Sequence, residues 1–292
     1  MKPSVHPRVV AIVLNWNGWQ DTLRCVDTLQ AATYPLRIVV VDNGSTDDSA
    51  THIHAAQPHI PLLAQPRNLG FGGGVNVGAA WAVAQGCDYL LLVNNDATVH
   101  PEAVTRLVAA AEHDPGLALL TPVILLEGST KLWTLGADWQ YFAIRQRSEL
   151  PPTPLPAVLG MDIVYGCVML VRTSAWQQLG GFDPAFFAYY EDADLALRSR
   201  DQGWRVGVVT AARAWHRVSS STAQQPRMKV FHEMRGRMLF FRKRLRSADY
   251  LVFSLHELRY LMVRLLRYLR RGDWAAAGAL LHGAWSGIIA KA

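Results

Sequence analysis

Cysteines are few in this chain and long apolar runs are absent. The three cysteines, Cys25, Cys87 and Cys167, are far apart and form no CxxC pair, which indicates neither a disulfide framework nor a zinc ribbon. No uninterrupted apolar stretch approaches the roughly 20 residues that a membrane-spanning helix requires. The apolar run at residues 9–14 is shorter than the core of a signal peptide. These features predict a cytoplasmic catalytic part.

Two common nucleotide-binding motifs are missing as well. Residues 67–74 are rich in glycine but lack the GxGxxG spacing, and neither GxxxxGKS nor GxxxxGKT occurs in the chain. These absences argue against dinucleotide-dependent oxidoreductases and P-loop nucleoside triphosphatases. Because the glycine-rich stretch precedes a predicted helix, its backbone amides are candidates to approach a diphosphate.

Apolar segments alternate between strand-like and helix-like patterns over the first hundred residues. We predict strands at residues 9–14, 37–41, 62–64 and 89–93, and helices at about 47–56 and 74–84. This alternation is typical of an α/β domain with a mostly parallel sheet. Periodicity fades between about 128 and 156, which we interpret as a loop or linker, and a further strand is predicted at 205–209.

Three of the predicted strands end in polar residues. Asn15, Asp42 and Asp96 each follow an apolar run, and the carboxyl ends of parallel strands meet at one edge of the sheet. Any one of these clusters is typical of a simple turn, whereas three together indicate a ligand site. Asp96 could hold Mg²⁺ or Mn²⁺ together with substrate phosphates, and His216 could add an imidazole, which would favour Mn²⁺. A lone histidine after an aromatic residue, however, more often serves packing.

Aromatic residues at positions 186–190 directly precede a cluster of acids. Asp194 and Arg198 are explained as an ordinary pair one helical turn apart. Glu191 and Asp192 have no such explanation, and the chemistry that fits them is a general base beside a surface on which a sugar stacks.

Positive charge is concentrated near the carboxyl terminus, where residues 227–271 contain 13 lysines and arginines against three acids. A helical projection of residues 254–271 separates a polar arc from an apolar face. The polar arc consists of His256, Glu257, Arg259, Tyr260, Arg264, Arg267, Arg270 and Arg271, and the apolar face of Leu255, Leu258, Leu261, Met262, Leu265, Leu266 and Leu269. We predict that this tail lies in the interface of an anionic membrane and does not bind nucleic acid. The alternative is a helix that docks on the catalytic domain or on a second subunit of a homo-oligomer.

Six segments, taken together, resemble the family 2 inverting glycosyltransferases, especially their bacterial rhamnosyltransferase-like branch. They are VLNWNG at 13–18, VVDNGSTD at 40–47, NLGFGGGVN at 68–76, NND at 94–96, GGFD at 180–183 and EDADL at 191–195. The resemblance implies a GT-A catalytic domain over residues 1–222, with a nucleotide-sugar half at about 1–125 and an acceptor half at about 126–222. Residues 223–292 then form the basic helical tail.

The resemblance also implies roles for individual residues. Nucleotide-sugar binding falls to Asn15, Asp42, Asn68, Gly70, Asn94 and Asn95, metal binding to Asp96 and His216, general-base catalysis to Asp192, and acceptor or secondary contacts to Glu191, Tyr190 and Trp215. Asn94 stands where the family's metal-binding DxD motif begins, so Asp96 is its one carboxylate.

The implied reaction transfers a sugar from a nucleoside-diphosphate sugar to a saccharide or lipid-linked saccharide of the cell envelope. The branch favours dTDP-L-rhamnose, with UDP-sugars next, and implies an enzyme peripheral to the inner face of the cell membrane. Two other classes remain open, a metal-dependent nucleotidyltransferase and an inactive GT-A binding module. The nucleotidyltransferase would usually show a basic glycine-rich loop after the first strand, where none follows Leu14.

Overall fold

Alternating strands and helices build the parallel half of the sheet. A computed structural model describes residues 6–140, 143–217 and 226–290. The first elements are β1 (Val9–Asn15), α1 (Trp19–Gln30), β2 (Leu36–Asp42), α2 (Ser49–Ala56), β3 (Leu62–Ala64), α3 (Gly70–Ala84) and β4 (Tyr89–Asn94). The four predicted strands are therefore present, while α3 begins four residues earlier than predicted.

The second half of the sheet mixes strand directions. Its elements are β5 (Ala97–Val99), α4 (Ala103–His113), β6 (Leu117–Leu126), β7 (Leu132–Thr134), β8 (Ala137–Gln140), β9 (Ala143–Gln146), β10 (Val158–Gly160), β11 (Val168–Arg172), α5 (Thr173–Leu179), α6 (Glu191–Asp201) and β12 (Arg205–His216). The strand order is β10-β12-β6-β11-β4-β1-β2-β3, with β11 antiparallel to β4. The four strands β4-β1-β2-β3 are all parallel, and β6 and β12 form a further parallel pair beyond the antiparallel β11.

The stretch predicted as a loop at residues 128–156 contains three short strands, so that interpretation is wrong. β8 and β9 form a separate two-stranded sheet, and β7 pairs with β6. Strands of three or four residues are too short for an alternating pattern to stand out. The strand predicted at 205–209 likewise continues to His216, which places that histidine on the sheet itself.

Two apolar clusters cover the two faces of the sheet. Neighbouring residues of β1 alternate between them, with Ile12 in one cluster and Val13 in the other. Such a strand reads as a continuous apolar run because both of its faces are buried.

Three helices follow the sheet and complete one of these clusters. They are α7 (Pro226–Arg244), α8 (Ser247–Arg270) and α9 (Trp274–Ile289). Phe240 and Phe241 of α7 are fully buried, and each ring centre lies 5.5 Å from that of Trp139 in β8. The tail therefore packs on the catalytic part. The boundary predicted between residues 222 and 223 lies outside the described residues.

The predicted polar arc of α8 does not face outward as a unit. Glu257 is only 1% exposed and accepts two hydrogen bonds from the guanidinium of Arg237 in α7, at 2.7 and 2.8 Å. Arg237 also stacks over the ring of Tyr260 at 4.8 Å. Pairing offsets part of the cost of burying these side chains, because neither charge is left uncompensated. No helix of the described residues combines the length and apolar character needed to cross a membrane.

We expect Gly78→Ala to destabilise the protein by about 1–3 kcal/mol, because overpacking forces neighbours apart. A Cβ atom at Gly78 in α3 would lie 2.4 Å from Cγ2 of Ile12 in β1, which is fully buried. The matched control is Gly278→Ala in α9, where a Cβ atom meets nothing within 4 Å. Alanine is the better helix former there, so urea unfolding should show no loss. Equal effects of both changes would contradict the packing argument.

Candidate active site

A pocket of about 670 Å³ opens where the strands of the parallel half end. Its size suits a ligand of several rings. Its lining includes residues that follow β1, β2 and β4, the segment before α6, and side chains of α7 and α8. The predicted site residues that line it are Asn68, Gly70, Asn94, Asn95, Asp96, Tyr190, Glu191, Asp192 and His216.

Asn15 and Asp42 form a buried pair beneath this pocket. They are register partners at the ends of β1 and β2, and Nδ2 of Asn15 donates to Oδ1 of Asp42 at 2.7 Å. Ser45 Oγ donates to the same carboxylate oxygen at 2.5 Å. Neither Asn15 nor Asp42 lines the pocket surface. As placed here, the pair fixes the ends of two strands.

Asn43, which the sequence analysis treated only as part of a turn, lines the pocket and holds the glycine-rich segment. Its Oδ1 accepts from the amide of Leu69 at 3.0 Å, and its Nδ2 donates to the carbonyl of Gly70 at 3.0 Å and to Oδ1 of Asn68 at 3.1 Å. Oδ1 of Asn68 in turn accepts from the amide of Gly70 at 2.7 Å. The signal for Asn43 was its position directly after a strand carboxylate.

The glycines at the start of α3 serve close packing. A Cβ atom at Gly74 would lie 2.4 Å from Cδ1 of Leu14, and one at Gly70 would lie 2.1 Å from the carbonyl oxygen of Phe187. The amide of Phe71 donates to that same carbonyl at 2.7 Å. Amides predicted to approach a diphosphate thus already donate to protein groups.

Asp96 and His216 meet across the sheet. Oδ1 of Asp96 lies 3.0 Å from Nε2 of His216, and each side chain is at most 8% exposed. The pairing of β5 with β12 brings them together, since His216 is the register partner of Ala97. Trp133 of β7 packs edge-on against the His216 ring, with centroids 4.8 Å apart.

The residues around Asp96 fit a divalent metal bound jointly with phosphate. Oδ1 of Asn94 and Nδ1 of His216 are buried without a hydrogen-bond partner among the described residues. Carboxylate, imidazole and amide oxygen are suitable ligands for Mn²⁺, and the first and last for Mg²⁺. The described residues contain no group of three His, Cys, Asp or Glu side chains able to hold a metal. Substrate oxygens would therefore have to complete its coordination.

Glu191 and Asp192 open helix α6 at the pocket wall. Asp192 accepts from the amide of Gly166 at 3.2 Å and from the amide of Ala193 at 2.7 Å. Oε2 of Glu191, in a side chain 6% exposed, has no hydrogen-bond partner among the described residues. Burial raises the pKa of both carboxyls, and the charge of Asp192 raises the pKa of Glu191 further. A carboxylate with a raised pKa is suited to accept a proton near neutral pH.

The turn before α6 is strained and is held by the tail. Tyr189 and Tyr190 both have positive φ angles, 67° and 73°, which residues other than glycine rarely adopt. Helix α7 approaches this turn at Gly236, where a Cβ atom would lie 2.6 Å from the carbonyl oxygen of Tyr189. Such strain persists only where surrounding structure fixes it, and here α7 does so.

Side chains of the tail complete the pocket. None of them was predicted as a site residue. Lys229, His232, Glu233, Arg237, Tyr260 and Arg264 line the pocket. The ring of His232 stacks on Phe187 at 4.5 Å, and burial, followed by the nearby charge of Arg235, lowers its pKa to about 4. By contrast, Trp215 does not line the pocket, and its ring lies 6.4 Å from that of His100.

Comparison with known proteins places this site in a family. The model described as glycosyl transferase family 2 matches residues 10–167, and that described as glycosyl transferase family group 2 matches residues 89–289. The chain therefore belongs to glycosyl transferase family 2, as its motifs predicted.

Individual relatives agree with this membership. The chain is 28% identical over 235 residues to the N-acetylglucosaminyl-diphospho-decaprenol L-rhamnosyltransferase of Mycobacterium tuberculosis, which covers 70% of this chain and 74% of that protein. GalNAc-T7, solved with UDP, GalNAc and Mn²⁺, gives a TM-score of 0.63 at 16% identity, over 82% of this chain and 50% of that one. The mannosyltransferase PcManGT from Pyrobaculum calidifontis, solved with GDP-Man and Mn²⁺, gives a TM-score of 0.61 at 17% identity, over 98% of this chain and 77% of that one. These likenesses confirm the predicted GT-A fold.

Replacing Glu191 by Gln is expected to stabilise the protein by a margin that grows with pH. The folded pKa of Glu191 lies above its ordinary value, so its contribution to stability is present at low pH and is lost as pH rises through the folded pKa. Since one pKa unit corresponds to about 1.4 kcal/mol, a gain on the order of 1 kcal/mol or more is expected at about pH 8. Urea unfolding at about pH 5 and about pH 8 measures the margin.

The control is Glu149→Gln, because Glu149 is exposed. The difference in free energy of unfolding between this variant and the wild type should not change with pH. A Glu191→Gln margin that is equally flat would show that the Glu191 carboxyl is ionised to the same extent in the folded and unfolded states, so that burial does not raise its pKa.

Proposed function

We propose that the protein is an inverting glycosyltransferase that uses a nucleoside-diphosphate sugar. The acceptor is a hydroxyl of a saccharide or lipid-linked saccharide in cell-envelope polysaccharide synthesis. The observation that carries the proposal is that Asp96, in the turn between β4 and β5, and Asp192, at the start of α6, line one pocket at the carboxyl ends of the parallel strands. In this proposal Asp96 serves the departing diphosphate and Asp192 serves the incoming hydroxyl.

The donor is proposed to be dTDP-L-rhamnose, with a UDP-sugar as the second choice. Support comes from the motifs of the rhamnosyltransferase-like branch and from the relative whose name specifies L-rhamnosyl transfer. The nucleotide would lie over the ends of β1 and β2, beside Asn43 and Asn68, which already fix each other by hydrogen bonds. A wall fixed before the ligand arrives reduces the entropy lost on binding.

The chemistry is a single displacement with Asp192 as general base. Asp192 takes the proton of the acceptor hydroxyl, the acceptor oxygen bonds to the anomeric carbon, and the bond from that carbon to the phosphate oxygen breaks. The electron pair leaves with the nucleoside diphosphate, and the anomeric carbon inverts. The amides of Gly166 and Ala193 hold the Asp192 carboxylate in place for this transfer.

Asp96, His216 and Asn94 are the residues that would hold a divalent metal. Bound there with the diphosphate, Mg²⁺ or Mn²⁺ supplies positive charge that offsets the negative charge developing on the leaving group. The edge-on contact of Trp133 with His216 helps to orient that imidazole.

A panel of nucleotide sugars, scored by thermal stabilisation with and without Mn²⁺, identifies the donor. dTDP-L-rhamnose should raise the melting temperature most, and Mn²⁺ should increase that shift. A larger shift with a UDP-sugar selects the second choice. Stabilisation without any transfer to acceptors would favour an inactive binding module, and transfer of a nucleotidyl group would favour a nucleotidyltransferase.

Asp96→Ala is expected to abolish transfer and to remove the Mn²⁺-dependent part of nucleotide stabilisation, because Asn94 offers no second carboxylate. The control Asp27→Ala removes an exposed acid of α1 and should change neither readout. Undiminished transfer by Asp96→Ala in excess EDTA would exclude the metal role.

Asp192→Asn is expected to lower turnover by roughly 10²-fold or more while leaving donor affinity unchanged, because the amide keeps the shape and loses the base. In the wild type, the acidic limb of the pH–rate profile should have its midpoint above 3.8, since burial raises the pKa of Asp192 and only its ionised form accepts a proton. Normal turnover with collapsed donor binding would instead make Asp192 a donor-binding residue, with Glu191 the next candidate for the base.

A further inference from the structure

Exposed apolar side chains are concentrated on the last two helices. Of the 14 large apolar residues that are exposed among the described residues, 12 lie on α8 and α9. Apolar residues exposed singly over a surface are normal, whereas a contiguous group marks an interaction site. The core of this group is the outer stripe of α8, formed by Leu251, Leu255, Leu258, Met262 and Leu266.

Helix α8 is oriented opposite to an ordinary surface helix. The outer stripe recurs every three to four residues and so occupies one face. On the opposite face, Phe253 and Glu257 are buried, and Tyr260 and Arg264 line the pocket. A surface helix usually turns its leucines toward the core. Here the leucines of the outer stripe are exposed instead, while Leu261 and Leu265 of the same helix pack against the core.

The chemistry around the outer stripe identifies its partner as an anionic lipid surface. Arg259, Arg267 and Arg270 are exposed beside the stripe. Trp274 and Trp285 of α9 are 72% and 61% exposed. Exposed leucines and arginines on one helix, followed by exposed tryptophans on the next, are typical of helices that lie in a membrane interface. A second copy on this face would bring arginine-rich flanks together, which is electrostatically unfavourable.

We propose that the outer stripe of α8, with the exposed tryptophans of α9, docks on an anionic bilayer, and that α8 lies in the plane of its headgroups. This docking does not depend on the proposed donor or base, because it concerns the outer surface of the tail. Docking would also place the pocket close to a lipid-linked acceptor in the bilayer, and this consequence does rest on the proposed function. Because Tyr260 and Arg264 line the pocket from the inner face of α8, the pocket lies about one helix diameter, roughly 10 Å, from the lipid.

Co-sedimentation with vesicles tests the apolar part of this surface. The wild type should pellet at low salt with vesicles of phosphatidylcholine and phosphatidylglycerol, and much less with phosphatidylcholine alone. The triple variant Leu255→Gln, Leu258→Gln, Met262→Gln should partition into the pellet at least about tenfold less, because each side chain loses its apolar transfer. The matched control is Leu150→Gln, an exposed leucine outside the tail, which should bind as the wild type does.

A second set of variants tests the contribution of the exposed arginines to vesicle binding. Arg259→Gln with Arg270→Gln should weaken binding to the anionic vesicles by roughly tenfold or more, since each arginine near such a surface contributes about 1 kcal/mol. The control Arg37→Gln removes one positive charge from an exposed position on β2 and should have no effect. Melting temperature and nucleotide stabilisation should be unchanged in every variant, which separates docking from folding and from donor binding.

Three results would overturn the proposal. The wild type could remain in the supernatant with anionic vesicles at low salt, or the triple variant could bind as well as the wild type. Light scattering could also show a dimer that the triple variant converts to monomer without any vesicle binding, in which case the outer stripe joins two copies. Vesicle binding without sugar transfer would count against the proposed function alone.

Discussion

The parallel register of β1, β2 and β4 decides where the polar groups of the site lie. Asn15 stands opposite Asp42, and Leu14 stands opposite Asn94, so the three strands end at the same level. Each polar residue that follows them therefore reaches one edge of the sheet. The apolar residues that precede them are buried on both faces, which leaves that edge as the place where a ligand can meet these polar groups.

The tail gives the opposite wall of the site, and it does so through buried polar pairs. The Arg237–Glu257 ion pair holds α7 and α8 together, while Gly236 lets α7 reach the strained turn at Tyr189 and Tyr190. That turn leads directly into Glu191 and Asp192, whose raised pKa values depend on their burial. The catalytic part and the tail therefore form one structural unit around the carboxyls.

Sequence patterns predicted the parts of the fold that depend on local periodicity. The strands of the parallel half and the polar clusters at their ends were found because each is a continuous apolar run ended by a turn residue. The short strands β7 to β9 were missed because polar residues interrupt them, so that they form no continuous apolar run of the kind seen in β3, and three or four residues carry no period. The inward placement of Glu257 and Tyr260 was not predicted, because a helical projection separates polar from apolar residues without showing which side has a partner. Arg237, the partner of Glu257, lies 20 residues away in sequence.

Gly236 has a consequence for how this protein could be altered by design or by evolution. At that position the backbone of α7 lies against the carbonyl of Tyr189, so a tail from a relative would fit only if it also carried a glycine in register with that turn. Chimeras joined between the sheet and α7 would thus pack correctly only where the introduced tail has glycine at this position. Diversification of the pocket wall that the tail forms should then proceed by point substitution within the tail more readily than by exchange of whole tails.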